Sequence, residues 1–97
     1  ISDEVLRGIA RLIGNVKTGE EITQLFHDAG YPEIIHDGST KWRFVYKVFQ
    51  SFKEKRKFDD IKRVIEKFAD PNFGSPEDRR IFEKLKEAVE ARQGEEK

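Results

Sequence analysis

The sequence predicts an all-α protein, folded as a compact bundle of about five helices. Apolar residues recur at spacings of three and four in five separate stretches, and each stretch is bounded by residues that start or stop helices. No stretch alternates apolar and polar residues for long enough to indicate a β-strand. A chain of 97 residues has the size of one domain, so we expect a single helical domain over residues 1–93. Residues 94–97 are expected to fray or to begin a linker.

The first two helices are marked by their apolar stripes and by the residues at their ends. An apolar stripe predicts the first helix over about residues 3–14, with Gly14 as its stop. The second helix follows a T-x-x-E capping box at residues 18–21, in which two side chains satisfy two free backbone N–H groups. Gly30 predicts its end, since glycine readily adopts the left-handed conformation that closes many helices.

The third helix is expected to begin at Ser39 or Thr40 and to run to about Glu54. Its apolar residues cover an arc of about 200° on a helical wheel. These residues are Trp42, Phe44, Val45, Tyr46, Val48, Phe49 and Phe52. A helix that is apolar over more than half its circumference is normally packed by several neighbours, so we expect this aromatic-rich helix at the centre. On the same wheel, Trp42 points inward beside Phe49.

The last two helices are separated by a proline-containing segment. The fourth is expected over about residues 57–69 and should end before the Asp-Pro pair at residues 70–71, since a proline disfavours helix in the residue before it. Ser75 is the expected N-cap of the fifth helix, and Pro76 occupies its first position, where a missing N–H costs nothing. The apolar pattern continues as far as Val89.

Composition excludes several classes of protein. The chain has no cysteine, which rules out disulfides, thiolate zinc sites and a cysteine nucleophile, and which is typical of a reducing cytoplasm. No apolar run approaches the roughly 20 residues needed to cross a bilayer, and no signal peptide is visible. The chain begins at Ile1 and contains no methionine. We therefore expect an excised piece of a longer protein, or a processed protein, located in the cytoplasm and without a membrane partner.

The charge is unevenly distributed, although 19 basic residues balance 19 acidic ones. Residues 41–67 carry a net charge of +6, between an N-terminal part at −4 and a C-terminal part at −2. Such a basic segment can contact the phosphates of DNA or RNA. The alternative is a solvated face that pairs with Glu54, Asp59, Asp60 and Glu66. The candidate residues for binding nucleic acid or another anion are Ser39, Thr40, Lys41, Arg43, Lys47, Gln50, Lys53, Lys55, Arg56, Lys57, Lys62 and Arg63.

The junction G-S-T-K-W-R at residues 38–43 is a candidate phosphate site. The start of a helix presents free N–H groups, to which Lys41 and Arg43 would add full charges. The alternative is an ordinary N-cap whose basic neighbours are solvated. A P-loop is excluded because its G-x-x-x-x-G-K-[ST] pattern is absent. A helix-turn-helix is disfavoured because residues 30–39 form a longer connection than its usual turn.

No catalytic site, metal site or cofactor is predicted. Two His-Asp pairs, at residues 27–28 and 36–37, carry types of side chain that bind divalent metals. The first pair lies at the edge of an apolar stripe and the second in a loop, and the further ligands of a metal-dependent hydrolase are missing. No Ser-His-Asp arrangement is evident, so we expect the chain not to be an enzyme.

Four short motifs resemble a known family. They are T-G-E-E-I-T-Q-L-F from Thr18, A-G-Y-P around Gly30, G-S-T-K-W-R-F from residue 38, and F-A-D-P-N-F from Phe68. In this order they resemble the small N-terminal helical domains of AbiJ-type abortive-infection proteins of prokaryotes. The resemblance covers a little over half of the chain. It implies an accessory or sensor domain in phage defence, tethered to a C-terminal effector such as a HEPN-type ribonuclease.

The positions that the resemblance carries over have mainly architectural roles in that family. They are Thr18, Gly30, Lys41, Trp42, Asp70 and Pro71. The HEPN signature, an arginine followed closely by a histidine, does not occur in this sequence. The resemblance therefore implies that any nuclease activity belongs to another part of the protein.

Two functions are left open by the sequence, ahead of a metal-dependent hydrolase as the third. The first is a non-catalytic accessory module that binds nucleic acid through the basic middle segment. The second is a protein-interaction or regulatory module, whose apolar face docks on an effector domain or on a second copy of the chain. The wide apolar arc of the third helix is the observation behind this second hypothesis.

Overall fold

The computed structural model describes residues 2–68 and 75–95, with the side chains of the second segment as far as residue 89. It contains α1 (Asp3–Val16), α2 (Gly19–Asp28), α3 (Lys41–Glu54), α4 (Phe58–Phe68) and α5 (Pro76–Glu95). No strand occurs in these two segments, so the predicted all-α bundle is confirmed. The Asp-Pro stop and the last two residues lie outside the described residues, and the predicted domain boundary stays a prediction.

The starts of α1, α2 and α5 are closed by side chains close to them in sequence. The Ser2 hydroxyl accepts a hydrogen bond from the Val5 N–H at the start of α1. At α2 the predicted capping box is present, with 3.2 Å from the Glu21 nitrogen to the Thr18 hydroxyl and 2.9 Å from the Thr18 nitrogen to the Glu21 carboxylate. Ser75 and Asp78 exchange the equivalent pair of hydrogen bonds at α5. These local caps explain why the helix starts were readable from sequence.

The end of α2 also follows the prediction. Gly30 has a φ of 102°, in the left-handed region that glycine adopts without strain. The Tyr31 N–H donates to the Phe26 carbonyl and the Gly30 N–H to the His27 carbonyl, which together form a Schellman motif. Tyr31 then packs against Phe52 and donates a hydrogen bond to Asp60. Burial and this hydrogen bond raise the pKa of Tyr31 to about 12.

The predicted stop of α1 at Gly14 is wrong, because the helix continues to Val16. Gly14 is buried, and a Cβ atom there would lie 2.9 Å from the backbone nitrogen of Trp42. The glycine therefore lets α1 approach the backbone of α3 closely. Gly8 allows a similar but less tight approach of α5, since a Cβ there would lie 3.2 Å from a methyl group of Leu85.

Two antiparallel helices, α1 and α3, form the main packing interface of the bundle. Contacts of Gly14 with Trp42 at one end and of Asp3 with Lys53 at the other set their opposite directions. α5 packs on α1, while α4 packs on both α3 and α2. The unique central position predicted for α3 is not confirmed, because α1 buries six of its residues and α3 buries three.

The core is apolar throughout the described residues, with no buried polar or charged side chain. Its members are Leu6, Ile9, Ala10, Leu12, Ile13, Ile22, Leu25, Phe26, Ala29, Val45, Phe49, Phe52, Ile61, Val64, Ile65, Phe68, Phe82 and Val89. Among the described helices, none combines the length and apolarity that crossing a bilayer requires.

Candidate nucleic-acid interface

The predicted phosphate site at the start of α3 has a carboxylate beside it. Thr40 is the N-cap, but its side chain makes no capping hydrogen bond. The Ser39 N–H donates to an Asp37 carboxylate oxygen at 2.9 Å. Hydrogen bonds from the side chain and backbone of Ser39 hold the pKa of the Asp37 carboxyl below its ordinary value. An ionised carboxylate this close to the helix start repels an incoming anion.

The amino group of Lys41 makes a hydrogen bond within the protein. Its Nζ donates to the Lys17 carbonyl oxygen at 3.0 Å, just beyond the end of α1. A cation at a helix C-terminus interacts favourably with the helix dipole and satisfies a carbonyl that has no partner within the helix. Lys41 thereby ties the start of α3 to the end of α1, and it is half-buried there.

The inward position predicted for Trp42 is confirmed only in part. Its side chain is only half-buried, whereas Phe49 is completely buried. The backbone of α1 approaches this residue closely, since a Cβ on Gly14 would lie 2.9 Å from the Trp42 nitrogen and 3.1 Å from both its Cα and its Cβ. The ring is partly exposed along the α1–α3 seam.

Arginines surround the exposed part of this ring. The guanidinium carbon of Arg11, on α1, lies 4.7 Å from the centroid of the Trp42 ring, and that of Arg43 lies 5.5 Å from it. One turn further along α3, the guanidinium of Arg7 lies 5.5 Å from the centroid of Tyr46. The two aromatic centroids are 6.4 Å apart. We call these five residues, Arg7, Arg11, Trp42, Arg43 and Tyr46, the Arg–aromatic face.

The positive charge of this face has no ion-pair partner among the residues that the structure describes. None of its three arginines lies within ion-pair distance of a described carboxylate. All three are exposed, and Lys47 is exposed one turn after Arg43 on the same side of α3. The nearest ion pair along the seam joins Lys53 to Asp3 at 3.1 Å, at the opposite end of the helix pair. The Arg–aromatic face therefore places cations without a described carboxylate partner next to aromatic rings.

Arg7 and Arg11 were missed by the sequence prediction. They lie in the net-negative first forty residues, so the distribution of charge along the chain gave no reason to choose them. Their spacing of four residues beside the apolar stripe of α1 placed them together on one side of that helix. Only the antiparallel pairing of α1 with α3 brings them against Trp42 and Tyr46.

The basic residues at the end of α3 have a different setting. Lys53 pairs with Asp3, while Gln50 is half-buried near the same two residues. Lys55, Arg56 and Lys57 are exposed around the helix C-terminus, where positive charge favours the helix dipole. These three cations therefore stabilise the end of α3, whether or not they also bind a ligand.

Arg56 has a backbone conformation that is rare for its residue type. Its φ is 57°, in the left-handed region that glycine usually occupies. The Lys57 N–H donates to the Phe52 carbonyl at 2.7 Å and the Arg56 N–H to the Lys53 carbonyl at 3.0 Å. α3 thus ends in a Schellman motif with arginine at the position that normally holds glycine.

The remaining candidates, Lys62 and Arg63, lie elsewhere on α4. Lys62 borders a small surface depression with Lys86 and Val89 of α5. Arg63 lies near the end of α2, where its Nη1 would be 4.0 Å from a Cβ placed on Gly30. No contact between described residues joins either side chain to the Arg–aromatic face. The twelve predicted residues are therefore spread over several parts of the surface.

The two histidines do not form a common site. The His36 Nε2 donates to the Ser39 carbonyl oxygen at 2.9 Å, and its Nδ1 accepts from the Gly38 N–H at 3.3 Å. His27 lies 3.6 Å from Asp28 on the exposed side of α2. Residues 2–68 and 75–95 contain no group of three or more His, Asp or Glu side chains placed to hold a metal ion.

Compared with known proteins, the chain matches no family profile, no curated protein and no solved structure. The resemblance to AbiJ-type proteins therefore stays a prediction.

Proposed function

We propose that this chain is a non-catalytic accessory module of a larger cytoplasmic protein, and that it binds nucleic acid. The observation that carries the proposal is the Arg–aromatic face, where three arginines with no described carboxylate partner lie against two half-buried aromatic rings. Lys47 extends the positive charge along α3. The role in prokaryotic phage defence belongs to the same proposal and rests on the resemblance of the motifs.

The chemistry of the face fits a phosphate-bearing polymer. A guanidinium group binds phosphate through two parallel hydrogen bonds, and arginine stays charged at every physiological pH. Arginines without carboxylate partners keep these donors available for a ligand. Aromatic rings beside them provide surfaces on which bases stack. The combination is more typical of nucleic-acid binding than of a merely solvated helix face.

The structural setting of the other candidates ranks them behind this face. Lys41 already donates to a backbone carbonyl, and Lys53 already pairs with Asp3. Lys55, Arg56 and Lys57 are exposed with no such partner, so they are the next residues that a longer ligand would meet. We therefore assign the primary contacts to the Arg–aromatic face with Lys47, and secondary contacts to the end of α3.

The experiment is a titration of the purified domain with short labelled DNA and RNA over a series of salt concentrations. Neutralising a few phosphates should make the logarithm of the binding constant fall linearly with the logarithm of salt, over about 50 to 200 mM. Failure to bind any nucleic acid at the lowest salt would contradict the proposal, as would binding that ignores salt.

A protein-interaction module, docking on an effector domain or on a second copy, is the second candidate. The observation that favours it is Ile35, whose side chain is 65% exposed beside a shallow groove between the start of α2 and the loop before α3. Sedimentation at rising protein concentration tests self-association. Dimerisation that Ile35→Ser abolishes would support this candidate, whereas a monomer at every concentration would count against self-docking.

A further inference from the structure

We infer that the Arg–aromatic face takes single-stranded rather than duplex nucleic acid, with unpaired bases stacking on Trp42 and Tyr46. This inference rests on the proposed function and names its ligand class. The face combines the two elements that bind single strands without strict sequence preference, namely cations for the backbone and aromatic rings for the bases.

The position of the two rings favours unpaired bases. Trp42 and Tyr46 follow each other by one turn on α3, with 6.4 Å between their centroids and 34° between their planes. Both are half-buried, so part of each ring remains accessible along the seam with α1. Base pairs in a duplex are stacked on each other and hide their faces. Only unpaired bases can therefore use these rings.

The arginines beside the rings are compatible with this binding mode. The guanidinium of Arg11 lies 4.7 Å from the Trp42 centroid, within stacking and cation–π range. A planar guanidinium is itself a surface on which bases stack. A base can thus add to the Trp42–Arg11 stack from outside, or replace the arginine while that side chain turns to a phosphate.

The spacing of the cations also favours a single strand. Arg7 and Arg11 are separated by one turn of α1, about 6 Å along the helix axis, and they lie beside Tyr46 and Trp42 respectively. Each ring thus has its own neighbouring cation. This repeat of one ring and one cation matches two successive nucleotides, each with one base and one phosphate.

The orientation of α3 against α1 disfavours a duplex. A helix that reads a duplex places its exposed side in the major groove. Here Trp42 and Tyr46 point toward α1, and α1 lies alongside α3 from Asp3 to Gly14. A duplex resting on Arg43 and Lys47 would leave the rings and Arg7 without a part in binding. A single strand lying along the seam uses all of them.

The experiment uses the intrinsic fluorescence of Trp42, which is the only tryptophan of the chain. The domain is titrated with a single strand, with the duplex of the same length, and with an abasic strand that keeps every phosphate but lacks bases. We expect the single strand to quench Trp42 and to bind at least about tenfold more tightly than either other ligand, given typical stacking contributions. Tyr46→Leu keeps an apolar side chain but removes one stacking ring, and it should reduce the preference for the single strand over the abasic strand.

The outcomes separate the inference from the proposed function. Equal binding of single strand, abasic strand and duplex, without quenching, would overturn the inference while leaving nucleic-acid binding in place. Absence of binding by all three ligands at low salt would overturn both. Because the abasic strand changes only the ligand, the comparison stays decisive even if a substitution in α3 perturbs folding.

Discussion

Gly14 of α1 and Trp42 of α3 are in direct contact through their backbones. A Cβ atom on Gly14 would lie 2.9 Å from the Trp42 nitrogen and 3.1 Å from its Cα. This contact fixes how closely the two helices approach, and the partly exposed indole ring lies beside Arg11 and Arg43. The candidate interface thus depends on one residue that has no side chain.

Gly14→Ala should therefore destabilise the fold. Alanine gains about 1 kcal/mol of helix propensity over glycine, but its methyl group meets backbone atoms that cannot move aside cheaply. Overpacking of this kind costs about 1–3 kcal/mol, so we expect a net loss in the free energy of unfolding. Urea denaturation measures it. Gly8→Ala is the control, since its methyl group would meet only the flexible Leu85 side chain, and an equal or larger loss there would contradict the explanation.

Arg56→Gly should stabilise the protein. Arginine at a φ of 57° bears the steric cost of the left-handed conformation, about 1–2 kcal/mol, which glycine avoids. The greater freedom of glycine in the unfolded chain offsets part of this gain, leaving about 0.5–1 kcal/mol. Thermal unfolding measures the change. Lys55→Gly, at a neighbouring residue with a φ of −86°, should only destabilise, and a similar result for both variants would refute the argument.

Trp42→Ala should cost about 1–2 kcal/mol of stability. A fully buried aromatic residue would cost about 3–5 kcal/mol, but Trp42 is half-buried, and its contacts include cation–π interactions with Arg11 and Arg43. Equilibrium denaturation of the variant is the measurement. Phe49→Ala is the internal comparison, because Phe49 is completely buried and should show the larger loss. Equal losses for the two variants would place Trp42 in the core.

The capping box of α2 should make stability depend on pH. Hydrogen bonds from the backbone and side chain of Thr18 lower the pKa of Glu21 below its model-compound value of 4.5. A carboxyl group with a lowered pKa in the folded state contributes stability above its unfolded pKa and loses it as the pH falls through the folded value. We therefore expect the free energy of unfolding to decline as the pH falls below about 4.5.

Glu21→Gln tests this assignment when the denaturation series is repeated from neutral to acidic pH. The variant should show a weaker decline, because glutamine keeps a hydrogen-bonding oxygen but does not titrate. Glu20→Gln, in the same helical turn but outside the capping box, should retain the decline of the original protein. A steeper or unchanged decline in Glu21→Gln would show that another group is responsible.

The correct predictions from the sequence concern local structure. The caps at Thr18 and Ser75 and the Schellman motif at Gly30 involve residues within five positions of each other, so their spacing is visible in the chain. Gly14 was misassigned because a glycine that ends a helix and a glycine that admits a neighbouring helix are identical in sequence. Only the position of Trp42 distinguishes them.

The candidate interface was only partly predictable for the same reason. Arg43 and Lys47 were identified because they lie in the basic middle of the chain, whereas Arg7 and Arg11 depend on contacts across more than thirty residues. A helical wheel gives the direction of Trp42 relative to its own helix. It does not give the distance at which α1 covers that side, and this distance decides the exposure of the ring.

The most direct test compares two charge-matched double variants for binding to a single strand over a salt series. Arg7→Gln with Arg43→Gln removes two cations from the Arg–aromatic face, while Arg80→Gln with Lys84→Gln removes two exposed cations from α5. We predict that the first pair weakens binding and reduces the salt slope by about 1.4, since each phosphate contact contributes about 0.7 for single strands. The second pair should leave the slope unchanged. Equal weakening by both pairs would show that net charge alone drives binding and would contradict a specific interface between α1 and α3.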